Sequence, residues 1–535
     1  MPIAALTSFL GQNTRVDPHY LPPGVGVSSV NQKPGESGEL RPWKNPLPIS
    51  GPVVPSGRIT LYRSGRDTPS PTAFWWSWTT HVNVTRGFET NDTTERTFYT
   101  GDGAPKWTNN ILGLATTPYP TSYRLLAVPQ PTVVPGVALN VDGATGEPRR
   151  LYYCFTWVND IGWESAPSPP VLAPLAKPGA ILDLTVSETV PAGNYGVTTV
   201  RWYRTQTTSA QGDAEFFFLR DYAVGAGGMQ DDARELGVDV LPTGPDTLRL
   251  SLPTTAYGLT YCWNQFAAAL VGKTVRFCSP TLMYAWPLSN EYEIADTPVA
   301  AAVFAQRLLV LTTAGGELFT GSDPEAMDQK PMAIAPIVSA RSLVSADSFC
   351  AWAASDGLWY YGLDGYRNLV GEAMTPAQWS ALDPSTMHCH YFELGNRPLI
   401  IGFYNDGTLK GFVVDPQNPL GIYFLSTGYT AAYWDKLQRK LFVLDGSELK
   451  QFDGDSTNMT VTFKGKIERQ VEETEAEWLE MLAGGASTIT LYADGVNVFS
   501  QSLTTGEHRT PDGTEGREFQ LEVSTSTSTL GVVIE

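Results

Sequence analysis

Short runs of alternating, β-branched and aromatic residues, ended by Gly, Pro, Asn and Asp, run through the whole chain. This pattern predicts β-strands and frequent turns. Arg58–Arg63, Phe74–Val84, Leu151–Val158, Val197–Arg204, Glu215–Tyr222, Phe519–Ser524 and Leu530–Ile534 all read as strands. Phe74-Trp75-Trp76-Ser77-Trp78 adds a detail. At a period of two, Trp76 and Trp78 share one face and Trp75 takes the other. Both faces are apolar, which predicts a strand sandwiched in a core or an interface.

Between 300 and 465 the pattern repeats as strand, tight turn, strand. Arg307–Thr312 and Glu317–Thr320 flank Gly315-Gly316, and Cys350–Ala354 and Leu358–Tyr361 flank Asp356-Gly357. Pro398–Tyr404 and Thr408–Val414 flank Asp406-Gly407, and Lys440–Leu444 and Ser447–Phe452 flank Asp445-Gly446. Asp-Gly and Gly-Gly supply the positive φ of hairpin turns. The turn glycines Gly316, Gly357, Gly407 and Gly446 stand 41, 50 and 39 residues apart. A spacing of about 40–50 residues is that of propeller blades. Phe98-Tyr99-Thr100-Gly101-Asp102 echoes Leu318-Phe319-Thr320-Gly321-Ser322 and, more weakly, Lys450–Gly454, so residues 56–130 are expected to add blades to the same ring.

The chain therefore divides into five parts. Residues 1–55 form an extended Pro-rich arm, expected to lie across a neighbour with Tyr20 and Trp43 as anchors. Residues 56–130 hold the first propeller strands, and 131–230 an inserted β-sandwich of fibronectin type III kind. The remaining blades fall in 231–465, with Asp231-Asp232-Ala233-Arg234 open to either a short helix or a loop. Residues 466–535 form a small C-terminal β domain, opening on Gln470–Leu482 as a loop or short helix. The fold class is all-β: a propeller-like domain with an inserted sandwich.

Composition supports strands over helix bundles, with 50 Gly, 40 Pro and 17% charged residues. The formal charge of −19 argues against gripping nucleic-acid phosphates. Five dispersed cysteines, Cys154, Cys262, Cys278, Cys350 and Cys389, form no CxxC pair. They read as reduced, buried thiols. No signal peptide and no apolar run near the ~20 residues of a membrane helix is present.

The search for chemistry yields no catalytic, cofactor-binding or metal residue to assign. His388-Cys389-His390 places two imidazoles on one strand face, but two ligands do not make a metal site. No GxSxG, HExxH or P-loop lysine occurs. Gly225–Gly228 lacks the following Lys-Ser/Thr and reads as a connector. Ser355-Asp356-Gly357-Leu358-Trp359 has the letters of a sialidase Asp box at the wrong spacing and reads as a turn. The acidic run Glu472–Glu480 lacks the spacing of a calcium loop.

Several stretches carry a family resemblance: Gly11-Gln12-Asn13 through Leu21-Pro22-Pro23-Gly24, Gly38–Trp43, Arg96–Trp107, Val158–Pro167 and Gly421–Phe424 before Trp434. Over roughly residues 1–465 the chain resembles virion proteins of the tail nozzle or tail tubular type from short-tailed bacteriophages. The resemblance implies a non-enzymatic structural protein without cofactors. It implies a homohexameric ring in the virion tail, assembled in the host cytoplasm, with portal–adaptor proteins above and tail fibre or tip proteins beside or below. Double-stranded DNA would be retained and then conducted during ejection, without sequence-specific binding or membrane insertion. The rival expectations are a tail fibre, hub or receptor-binding protein, or a propeller glycan hydrolase or lyase.

Overall fold

The computed structural model describes residues 3–35, 38–65, 74–89, 92–205, 215–232 and 244–535. The chain is all-β, and Pro376–Ser380 is its one α-helix among the described residues. Four-stranded antiparallel meanders follow one another along 257–425. They are Tyr257–Tyr261 to Glu291–Glu293, Pro298–Phe304 to Asp328–Met332, Val344–Ser345 to Gly365–Asn368, and His388–Leu394 to Tyr423–Leu425. Ala431–Asp435, Lys440–Asp445 and Glu448–Gln451 form a fifth sheet, completed by Leu47–Pro48 from the arm. Two more sheets come from earlier in the chain: Thr60–Arg63 with Trp75–Trp78, and Asn83–Arg86 to Arg124–Leu125. The first strands of all seven sheets, or the turns leading into them, line two adjoining cavities on one axis. The arrangement is a β-propeller, with seven blades among the described residues.

The four hairpins expected from sequence occupy equivalent places, the second-to-third strand turn of four consecutive blades. The blade at 257–293 has the same turn at Gly272, 44 residues before Gly316, where Gly-Lys replaces Asp-Gly. The glycines serve two different needs. Gly407 and Gly446 have φ of 111° and 63°, the left-handed region that disfavours a side chain. Gly316 and Gly357 do not, and there the requirement is space. A Cβ at Gly316 would lie 2.8 Å from Ile334 Cδ1, and one at Gly357 would overlap the Asn368 side chain. The aromatic echo falls on unlike positions: Thr97–Thr100 is a second strand, whereas Gly316–Thr320 and Glu448–Gln451 are third strands.

The three tryptophans of Trp75–Trp78 are fully buried, split by face as the alternation requires. Trp75 packs on Phe442 at 4.9 Å in the neighbouring blade. Trp76 and Trp78 join Tyr62 and Tyr99 on the other side. Arg63 and Asp435, both buried, pair across the seam between the blade at 60–78 and the blade at 431–451.

The inserted sandwich packs the sheet of Gly136–Val141, Ile181–Thr185 and Met229–Asp231 on that of Val171–Leu172, Tyr152–Asn159, Val197–Thr205 and Phe216–Ala223. Its core holds Phe155, Trp157, Leu182, Leu184 and Trp202. Residues 233–243, including the Ala233-Arg234 end of the undecided stretch, lie outside the described residues. The sandwich is fastened to the ring by the turn after Tyr152–Asn159. Trp163 leaves the sandwich and enters the propeller core, stacked on Tyr284 at 5.0 Å and beside Trp107 at 5.2 Å. The next residue, buried Glu164, accepts from Thr156 Oγ1 at 2.6 Å and from the Tyr203 hydroxyl in the sandwich. It also accepts from Arg249 Nη1 at 2.6 Å, on the segment returning to the ring.

The arm pairs with its own chain at several points. Ala4–Leu6 pairs with the last strand, Thr529–Ile534, inside a C-terminal sandwich. Ser28–Val30 lies between two sheets: parallel to Tyr423–Leu425 through Val30 and Phe424, and antiparallel to Val461–Glu475. Propeller blade and C-terminal sheet thereby become one nine-stranded sheet. Trp43 is 1% exposed, packed on Phe392 and Phe452 of the same chain, whereas Tyr20 is 80% exposed. The acidic stretch also differs: residues 470–482 are neither loop nor helix but the end of Val461–Glu475 and the strand Trp478–Ala483. Glu472, Glu473 and Glu475 project from that strand, so charge masks the alternation.

Two stability tests follow from these seams. Trp163→Ala should cost about 3–5 kcal/mol in urea unfolding, the usual loss for a fully packed aromatic. Trp478→Ala, on a half-exposed side chain, should change the midpoint by less than about 0.5 kcal/mol. Asn31 has φ 58° and ties Ser426 and the Thr460 carbonyl across the shared sheet. Asn31→Gly keeps the backbone and loses only those bonds, so about 1–3 kcal/mol is expected, and Asn31→Val should cost more.

Candidate functional site

The two axial cavities have volumes of about 370 and 750 Å³ and share His81, Val84, Leu343, Ser345 and Lys436 as lining. Inner strands of a propeller carry one edge into the axis, and the turn before each strand sets what sits at the mouth. His81 lies two residues before the strand Asn83–Arg86, and Arg341 lies in the 3-10 turn Ala340–Ser342 before Val344–Ser345. His388 and His390 come from the inner strand His388–Leu394. All four line the smaller cavity.

The alternation that puts His388 and His390 on one face is real: their rings face Phe403, and Cys389 turns into the opposite core. His388 Nδ1 and His390 Nε2 are 3.0 Å apart, one donating to the other. Burial pushes the proton affinity of His81 down to about 4, helped by the nearby Arg341 charge. Burial pushes His390 down to about 3 and His388 well below the usual range, again with Arg341 and the other imidazoles contributing. All three are neutral at pH 7. Arg341 is itself lowered to about 10 by burial and remains charged. Its Nη2 donates to the Ile59 and Thr430 carbonyls, each at 2.8 Å. Among the described residues no group of three or more His, Cys, Asp or Glu is placed to hold a metal ion.

The pair His388 and His390 was visible in the sequence; His81 and Arg341 were not. They are 260 residues apart and belong to turns without a motif. The usable signal is blade phase. Once the hairpin glycine marks strands two and three, the preceding strand is the inner one, and polar residues at its entrance face the axis. The remaining histidines lie elsewhere. His19 sits between Asp17, at 2.6 Å, and Glu518, at 3.3 Å, while His508 Nε2 is 2.7 Å from the Thr504 carbonyl.

The other sequence leads resolve into structure. Asp356 accepts the Trp359 indole N–H at 2.8 Å within its hairpin, and Trp359 stacks on Tyr366 at 4.7 Å. Gly225–Gly228 joins the strands Phe216–Ala223 and Met229–Asp231. The five cysteines are buried free thiols, and burial raises their proton affinity. No helix among the described residues is long and apolar enough to cross a membrane.

No family model matches the chain, and no curated protein matches it. Solved structures overlap it loosely. The N-terminal part of BBS1 in complex with ARL6DN is 12% identical, covers 70% of this chain and 93% of its own, and has a TM-score of 0.28. AztD of Citrobacter koseri is 10% identical over 70% of this chain and 99% of its own, with a TM-score of 0.27. A family 43 arabinoxylan arabinofuranohydrolase of Bacillus subtilis is 9% identical over 66% and 92%, with a TM-score of 0.21. The fold therefore stands on the chain's own sheets.

The buried imidazoles make a signed prediction. Each binds its proton more weakly folded than unfolded, so the unfolded state protonates first as pH falls below the ordinary value of about 6.5. Their stabilising contribution is present above that pH and is lost on acidification towards pH 4. Urea unfolding at pH 7 and pH 5 should therefore show a drop. In His390→Gln the drop should shrink by about 1–2 kcal/mol, the linkage expected of one such imidazole. His19 has the opposite sign. Its hydrogen bond to Asp17 raises its affinity, so its support for the arm fades as pH rises through that raised value.

Proposed function

We propose that the chain is a structural virion protein of the tail nozzle type, acting as a repeated wall element around a conduit for double-stranded DNA. One observation carries the reading: the stretches on which the resemblance rests meet one another in space as seams of the fold. Gln12 exchanges both backbone hydrogen bonds with Ile422, at 2.8 and 3.0 Å, and a side chain at Gly421 would overlap the Leu10 carbonyl. Phe98 and Trp107, from the stretch Arg96–Trp107, enclose Trp163 from the stretch Val158–Pro167. Residues spent in this way hold distant parts of the chain in one rigid body, which is what a wall element needs.

The charge balance supports the same reading. At −19 per chain, a ring of copies repels phosphates and lets DNA slide rather than stick. Cavities of about 370 and 750 Å³ suit small molecules and not a duplex. On this reading the conduit runs between copies, never down the axis of one propeller. Hexameric assembly, contact with portal–adaptor and fibre proteins, and location in the tail belong to the same proposal.

Electron microscopy of the purified protein, with mass photometry, tests it. A closed ring of about six copies around an open channel is the expected result. A trimeric rod would favour a fibre instead, and time-dependent loss of bacterial polysaccharide would replace the proposal with an enzyme.

A further inference from the structure

The guanidinium groups of Arg63, Arg204 and Arg397 are held against carboxylates, those of Asp435, Asp231 and Asp415. Arg341 is set differently. Its Nη2 is fixed by two main-chain carbonyls, no carboxylate meets it among the described residues, and Nε and Nη1 make no hydrogen bond there. It faces a cavity of about 370 Å³ shared with three imidazoles. Asp347, which lines the adjoining cavity, is turned to solvent, its side chain 97% exposed, with Lys436 at 3.3 Å. In a chain of charge −19, the axis thus gathers imidazoles and a positive charge that no carboxylate among the described residues compensates. Burying such a charge is costly unless something balances it.

We propose that the axial cavity is a binding site for a small tetrahedral oxyanion, the sulfate or phosphate group, seated on the free edge of Arg341 with the imidazoles of His81, His388 and His390 around it. The inference goes beyond the nozzle reading and rests on the cavity alone. A planar guanidinium presents parallel N–H groups that match two oxygens of such an ion. The site is large enough for the ion with a few waters, or for the head of a small monoester.

Protons should follow the anion. A negative charge beside a buried imidazole favours its protonated form. The other titratable groups around the cavity are of types whose ordinary values lie outside pH 5.5–7.5. They are Tyr62, Tyr391, Tyr433, Lys436 and Cys389, the Tyr391 hydroxyl donating to Glu393 at 2.8 Å and the Cys389 thiol pushed up by burial. Binding should therefore tighten on acidification through the three imidazoles.

The test is isothermal titration calorimetry on the full chain with sodium sulfate, sodium phosphate and glycerol 3-phosphate, ionic strength held constant with sodium chloride. Sulfate is the reference probe because it does not titrate in this range. One site per chain is expected, at least about tenfold tighter at pH 5.5 than at 7.5, a factor of ten being 1.4 kcal/mol. Arg341→Gln should lose at least about tenfold in affinity. Tighter binding of the ester than of inorganic phosphate would identify a phosphomonoester as the source of the group; the reverse would identify the free ion. Because Arg341 also ties two blades, its variant can fail to fold, so histidine NMR of the unmutated protein supplies a second reading. Sulfate should raise the titration midpoints of the three buried imidazoles and leave that of His508 unmoved. No heat above the chloride control, unmoved midpoints, or unchanged affinity in a folded Arg341→Gln would overturn the proposal.

Discussion

The whole molecule hangs on one strand of three residues. Ser28–Val30 fills a gap between Tyr423–Leu425 and Val461–Glu475 and satisfies backbone groups on both. Without it, each would present an unpaired sheet edge, with buried polar groups that cost more unmade than they gain when made. The surrounding residues are shaped for this insertion. Asn31 takes a left-handed turn and reaches both sides, and buried Gln32 donates to the Phe9 carbonyl at 2.7 Å. Leu47–Pro48 repeats the device farther along, as the outer strand of the last blade.

This stitching explains how three all-β units behave as one. The inserted sandwich is joined to the ring by Trp163 and Glu164, and the C-terminal sandwich by the arm. In each case an aromatic or a main-chain ladder crosses the junction, backed by buried polar contacts. Loose linkers would leave the units free to swing. The fold invests its aromatics in preventing that.

Legibility in the sequence followed the range of the interaction. The hairpins could be read because a tight turn is constrained within a few residues, as at Asp406-Gly407 and Asp445-Gly446. The Trp75–Trp78 strand could be read because both faces are apolar, whatever the partners. Gly316 and Gly357 were found through the wrong cause, since crowding leaves the same letter as a positive φ. The arm's partner was hidden, because Trp43 and Phe9 carry no mark of the residues they meet some 350 to 450 positions away. The strand at 470–482 was hidden because its glutamates erase the alternation. At the axis, the two histidines of one strand were plain, while His81 and Arg341 became neighbours only when the ring closed.

The shared strand also sets a timetable. Residues 28–30 leave the ribosome about 400 residues before their partners are made. At ~5–20 residues per second, that leaves the arm without a mate for about 20–80 s. Its prolines keep it extended and unable to pair regularly with the wrong edge in the meantime. Ala4–Leu6 waits longer still, for Thr529–Ile534. The arm's seams therefore close only after about 400 further residues have been made, and a chain released before then would expose the very edges along which copies of a β protein aggregate.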